Sequence, residues 1–353
     1  MKLKRWLALD CFKAVAIFVM IAWHLSIWWI NLNPSIEKGL LMVGVTPWPY
    51  LLQIIVAFSG HFSMSIPIVA GAALRLYLEK NIDKNPLDRK KFLLAITKRA
   101  IALAFLGFAV NLLAFGPTNW YLWNVLQLIS LSMLLIIFFI SYSPVYSLAI
   151  SGFAVIFTAP FIRGALQDNN SYLAFTLIGD KLGDNIWSFF PWYGVIVYGF
   201  LMVHFYLYFK NKKQEGNFKL ALVSASLLLI GLALLKNRFF YAVDLEYPWG
   251  YLLFQPPTLT VLAQLSVFNV TLIIMDFIFS KITRLRKFGV INVFSRGILW
   301  IYVVHMIVGF RLIEFLINKN FQSLITLFFV MFFIFVLCYG IGLVSILKKE
   351  NAL

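Results

Sequence analysis

Four histidines, His24, His61, His204 and His305, each fall inside a long apolar stretch of this sequence. Imidazole gains and loses a proton near neutral pH, so each is a candidate for proton transfer at a buried reaction centre. The stretch leading to His24 holds the richest set of companions. It reads Arg5-Trp6-Leu7-Ala8-Leu9-Asp10-Cys11-Phe12-Lys13 and then runs apolar to His24. On a helix, Lys13 and His24 lie about 20° apart around the axis and ~16 Å apart along it, and Asp10 and His24 about 40° and ~21 Å. One face therefore carries a charged cluster at one end and an imidazole towards the other. Ionisable groups inside an apolar span cost a few kcal/mol each and are functional candidates by default. The plain alternative is an Asp10–Lys13 pair at i,i+3 that snorkels to a membrane interface, with His24 hydrogen-bonded to a neighbouring helix.

Other polar residues sit in apolar surroundings. Asn111, Asn124 and Gln127 fall in the outer halves of the third and fourth predicted spans, and Gln264, Asn269 and Asp276 in the eighth. Interhelical hydrogen bonding is the expected use of most of them. Arg296 points about 180° away from His305 on an ideal helix. Trp48, Trp120, Trp187 and Trp192 stand at span ends, where an interfacial aromatic belt is expected. Cys11 and Cys338 suggest neither a disulfide framework nor a metal site. The sequence contains no Walker loop, no dinucleotide-binding glycine run in a βαβ context, no His-Glu-x-x-His and no Cys pair.

The elements that must position these groups are membrane helices. The 353 residues are 62% hydrophobic and only 12% charged, too apolar for a soluble fold of this size. The apolar residues form runs of about 20 or more, the length that crosses ~30 Å of hydrocarbon as a helix. The expected fold is therefore all-α, a polytopic bundle of about ten transmembrane helices. The spans are 9–30, 49–78, 92–115, 120–141, 144–163, 186–209, 218–236, 257–280, 289–315 and 321–347. The first is too long for the apolar core of a signal peptide and reads as a retained helix. The second, with Gly60, Pro67 and Gly71, is expected to kink or to begin as a half-buried segment. Without a linker or soluble insert, residues 1–353 read as one domain.

The net charge of +16 resembles a nucleic-acid signal, but its distribution follows the positive-inside rule. Lys2, Lys4 and Arg5, the group from Arg75 to Arg99, Lys210 to Lys219, Lys281 to Lys287, and Lys348 with Lys349 supply 21 of the 30 basic residues. The opposite connections carry seven. Both termini are thus expected on the cytoplasmic side. His24, His61 and His305 then share the outer half of the membrane, and His204 lies in the inner half.

Arg5…Leu9-Asp10-x-x-Lys13-x-x-Ala16-Ile17-x-x-Met20-x-x-x-His24 resembles the first helix of the transmembrane acyltransferase superfamily. The branch it is most similar to is the heparan-α-glucosaminide N-acetyltransferase catalytic domain and its prokaryotic relatives. Phe62 to Gly71 (FSMSIPIVAG), Lys98 to Asn111 (KRAIALAFLGFAVN), Trp123 to Gln127 (WNVLQ), Phe190-Pro191-Trp192 with Gly199, and Arg296 to His305 (RGILWIYVVH) resemble later pieces in order. Lys13-Ala14 replaces the usual Arg-Gly, Ser295-Arg296-Gly297 scrambles the usual Gly-Arg-Asn, and the loop 31–48 lacks the histidine of the heparan branch.

The resemblance implies acyl transfer across a multi-pass protein of the cell membrane, from cytoplasmic acetyl-CoA to a sugar or glycolipid acceptor on the outer face. It implies His24 as general base or transient acyl carrier, with His61 or His305 assisting. Asn124 or Gln127 would steady the oxyanion. Arg5, Lys13, Arg99 and Arg296 would meet the phosphates of acetyl-CoA, and Asp10 would orient its basic neighbours. No metal is expected. The partners would be acetyl-CoA, the acceptor and membrane lipids, with a homodimer allowed and no nucleic acid. The competing reading is a proton-coupled transporter or flippase for a glycan, lipid or acyl group, with the histidines as a relay.

Overall fold

In hydrocarbon a backbone polar group has no water to bond with, and a helix satisfies each one within its own run. The computed structural model describes residues 6–32, 65–83, 88–166, 171–179, 187–236, 256–281, 289–319, 321 and 323–350. Among these, every regular element is helical. In chain order they are α1 (Leu7–Leu32), α2 (Ile66–Leu78), α3 (Arg89–Phe115), α4 (Val125–Tyr142), α5 (Val145–Leu166), α6 (Tyr172–Ile178) and α7 (Phe189–Asn211). Then follow α8 (Glu215–Leu235), α9 (Thr258–Lys281), α10 (Gly289–Arg296), α11 (Ile298–Val304), α12 (Phe310–Asn318) and α13 (Leu324–Glu350). A π-helical turn, Glu79–Asp83, extends α2, and a second, His305–Gly309, joins α11 to α12.

Nine helical segments among the described residues are long and apolar enough to cross a membrane. They coincide with nine of the ten expected spans, and the protein is an all-α polytopic membrane bundle. The remaining span, 49–78, is described only from residue 65. There Pro67 occupies the first turn of α2, where its missing N–H deprives the helix of nothing, so no kink arises from it. The loop 164–185 contains a helix that the apolar pattern does not announce, α6, capped by Ser171 at its start and Gly179 at its end.

The chain divides into two compact units. The first comprises Met1–Arg5, Ser65–Ala109 and Tyr121–Ile274. Its centre is α7, which packs against α2, α4, α5, α6 and α8. Lipid chains are as apolar as leucine, so close packing and hydrogen bonds must hold such helices together. Glycines provide the close packing. A Cβ on Gly71 would overlap the carbonyl of Ile196, and one on Gly199 the carbonyl of Ile68, so α2 and α7 meet backbone to backbone. Gly194 similarly faces the carbonyl of Gly152 on α5. Hydrogen bonds provide the rest. Ser130 Oγ donates to the carbonyl of Ala100 (2.6 Å), and Asn269 Nδ2 reaches both Tyr198 Oη (2.6 Å) and Ser226 Oγ (3.0 Å), tying α9 to α7 and α8.

Two expected belt tryptophans are corrected here. Trp187 and Trp192 are buried, with ring centroids 5.5 Å apart, and Trp123 Nε1 donates to the Trp187 carbonyl. Their apolar rings fill the start of α7 instead of meeting an interface. Trp120 is exposed, and Trp48 lies outside the described residues.

The second unit comprises Trp6–Met64, Val110–Trp120 and Met275–Leu353. Its α1 is apolar nearly all round, the pattern of a helix enclosed by others, and it packs against α10, α11, α12 and α13. Phe18 stacks on Phe335 of α13, with centroids 4.1 Å apart. At the start of α1, Trp6 Nε1 donates to Asp276 Oδ1 at 2.9 Å. The span predicted over 289–315 is interrupted. It bends at Gly297, where a Cβ would press on Gly342 Cα, and widens into the π-helical turn at His305. The 180° separation of Arg296 from His305 assumed one ideal helix and does not apply to this broken one.

Candidate active site

The second unit brings two of the predicted histidines together, although 281 positions separate them. His24 Nδ1 lies 3.0 Å from His305 Nε2. The ring planes are within 19° and the centroids 5.2 Å apart, so the rings meet edge to edge and the bond runs nearly in both planes. His305 is completely buried and His24 almost so.

The hydrogen bonds fix the tautomers. His305 Nδ1 lies 3.0 Å from the carbonyl oxygen of Ile301, which can only accept, so the proton of a neutral His305 sits on Nδ1. Its Nε2 is then a lone pair and must accept from His24 Nδ1–H. The lone pair of His24 is left on Nε2, to which no other described residue is hydrogen-bonded. A backbone carbonyl thus sets, through two rings, which nitrogen of His24 can receive a proton.

Local sequence explains the surroundings. Trp28 stands one turn beyond His24 on α1 and lies parallel to it, 7° between planes and 5.2 Å between centroids. Phe115 and Phe310 meet the Trp28 ring edge-on at 6.5 and 5.4 Å, and Tyr302 meets His305 edge-on at 5.4 Å. Gly309 closes the π-helical turn. A Cβ there would press on Leu25 and touch Trp28, so its lack of a side chain lets this turn approach α1. Turns of this kind inside helices recur at functional sites.

Residues 5–238 match the family model of the heparan-alpha-glucosaminide N-acetyltransferase catalytic domain, about two thirds of the chain. The chain belongs to that family. It is therefore a multi-pass membrane acyltransferase of the heparan-alpha-glucosaminide N-acetyltransferase type, with acyl donor and acceptor as its substrates. No curated protein matches the chain. Within this acyltransferase, His24 belongs to the matched residues and His305 lies beyond them.

The other predicted residues occupy varied positions. Asp10 and Lys13 form a largely buried ion pair at 3.6 Å on α1. Arg99 stands over the ring of Tyr77, 5.0 Å from its centroid. Arg296 is exposed at the end of α10. Arg5 and His61 lie outside the described residues. Asn111 is buried near the end of α3. Asn124 and Gln127 belong to the first unit, where they cap α4. Asn124 Oδ1 accepts from Leu126 N–H and Gln127 Oε1 accepts from Asn124 N–H, both at 2.8 Å, while Asn124 Nδ2 donates to the Gly107 carbonyl. Asn124→Ala should accordingly cost about 1 kcal/mol of stability. A thermal melt of the purified variant checks this, and an unchanged midpoint would deny the cap any weight.

Sequence reasoning missed a second polar group in the first unit. Arg75, buried on α2, donates through Nε to His204 Nδ1 at 3.3 Å and pairs with Glu79 at 3.3 Å. Arg75 and His204 stand 129 positions apart, and no local pattern links them. Trp28 was within reach of the sequence, because i+4 from a histidine is the same helix face.

Proposed function

We propose that this membrane protein transfers an acetyl group from cytoplasmic acetyl-CoA to a sugar or glycolipid acceptor on the outer face of the cell membrane. The observation that carries the reading is the relay from the Ile301 carbonyl through His305 to His24. It leaves His24 Nε2 as a proton acceptor with a defined direction. The family match supports the reaction class, and the basic bias of alternate connections supports cytoplasmic termini.

Acceptor and donor react in one step of addition and one of collapse. The acceptor hydroxyl or amine attacks the thioester carbon while His24 Nε2 takes its proton. The C–S bond then breaks, and the same proton leaves with the CoA sulfur. Lys13, oriented by Asp10, is proposed to meet the phosphates of acetyl-CoA, with Arg296 as a further cation for this task. His61 is a second candidate for assisting His24.

The test uses the detergent-purified protein, labelled acetyl-CoA and a glucosaminide acceptor. Transfer of label with release of CoA is expected, and Lys13→Ala should raise the KM for acetyl-CoA about tenfold, the loss of one charge-assisted contact. Proton-coupled uptake of a glycan by proteoliposomes, without any CoA release, would replace this reading with transport.

A further inference from the structure

We propose that the indole N–H of Trp23 is the donor that stabilises the oxyanion when the acceptor adds to the thioester beside His24. The inference rests on His24 being the base of the reaction proposed above.

Addition to a thioester converts the carbonyl oxygen into an oxyanion. A reaction inside a membrane protein has little water to solvate that charge, so a fixed donor is needed close to the base. The amides that the sequence offers for this task, Asn124 and Gln127, are bonded to backbone groups at the start of α4. Trp23 offers something different. Its ring is 2% exposed, and its Nε1–H is buried without any hydrogen-bond partner among the described residues. A buried donor left unpaired is destabilising, and nearly all such groups in folded proteins find a partner. This one lies on a ring whose centroid is 4.9 Å from that of His24. Trp23 directly precedes His24 on α1, about 100° around the axis, with 43° between the ring planes. One reacting carbonyl group is placed between them, the base acting through the attacking atom and the donor through the oxygen.

The electron count is complete. The acceptor lone pair forms the new bond to the carbonyl carbon, its proton goes to His24 Nε2, and the carbonyl π electrons move onto the oxygen that faces Trp23. On collapse those electrons re-form the carbonyl, the C–S bond breaks, and the proton passes from His24 to sulfur. Trp23 keeps its proton throughout.

A second unpaired indole provides the control. Trp29 is fully buried on the same helix, and its Nε1–H also lacks a partner among the described residues. It stands about 140° around α1 and ~7.5 Å along it from His24, where Trp23 stands about 100° around and ~1.5 Å along. Trp23→Phe should lower kcat roughly 10²–10³-fold, the loss seen when one oxyanion donor is removed. The KM and binding of acetyl-CoA should stay unchanged, whereas Trp29→Phe should leave kcat near its original value. Replacing Trp23 by benzothienylalanine, which keeps the ring shape and deletes only the N–H, should reproduce the loss without altering packing. A normal kcat in the benzothienylalanine protein, with His24→Ala inactive, overturns the role of Trp23 and leaves the base in place. A normal kcat in His24→Ala overturns the reading beneath it.

Discussion

His24→Ala is expected to lower the rate of acetyl transfer by roughly 10²–10⁴-fold while leaving acetyl-CoA binding intact, because only proton transfer is removed. The neighbouring histidine should yield a graded series. In His305→Gln a side-chain carbonyl can still accept from His24 Nδ1–H, so the tautomer of His24 is retained and the loss should be small. In His305→Ala nothing holds that proton on Nδ1. The imidazole then divides between two tautomers, and only one presents a lone pair at Nε2. Single-turnover measurements on the three variants separate these effects from donor binding. The order should be His24→Ala slowest, His305→Ala intermediate and His305→Gln nearest the parent. Full turnover in His24→Ala would move the base elsewhere, and equal losses in both His305 variants would show a packing role in place of a relay.

The second large effect concerns stability. Gly71→Val and Gly199→Val should each destabilise the first unit by more than about 3 kcal/mol, beyond the ordinary range for an overpacked core. The reason lies in what the new atoms meet. Each would run into a carbonyl of the facing helix, and a backbone carbonyl cannot swing aside as a side chain can. Relief requires α2 and α7 to separate along their length, which forfeits the packing that holds helices together in lipid. Gly231 provides the contrast. A Cβ there would meet nothing within 4 Å, so Gly231→Ala should be neutral or stabilising. Thermal unfolding in detergent and elution volume report both. Native melting of Gly199→Val would show that the two helices can part at little cost.

The helices themselves were legible because hydrocarbon allows a long apolar run little choice of backbone structure. The expected span 9–30 became Leu7–Leu32, and 144–163 became Val145–Leu166. The cap of α4 was not read, although Asn124 followed three residues later by Gln127 is the pattern of reciprocal capping. Nor was α6, whose seven residues are too few for a span, although Ser171 and Gly179 are ordinary start and stop signals. The meeting of His24 with His305 left no local signal at all. Their common depth could be read from the sequence, but convergence depends on how α1 packs against its neighbours. The angle assigned to Arg296 rested on an unbroken helix. Helical periodicity assumes 100° per residue throughout, and neither the bend at Gly297 nor the wide turn at His305 leaves a mark in an apolar pattern. Burial of Trp187 and Trp192 went unread because a tryptophan at a span end has the same sequence signature whether it faces lipid or protein.

The wide turn His305–Gly309 accommodates one more residue than an α-helical turn. It therefore sets the phase of everything that follows. Phe310 meets the edge of Trp28, and Ile313 is fully buried, because that extra residue has already rotated α12 into place. Were that turn to close into ordinary α-helix with its residues all kept, the rest of the span would rotate by about 100°. Phe310 would swing away from the tryptophan and Ile313 towards the outside. Deleting one residue as the turn closes would restore the phase and leave both in place. For this stretch the number of residues is as much a part of the blueprint as their identity.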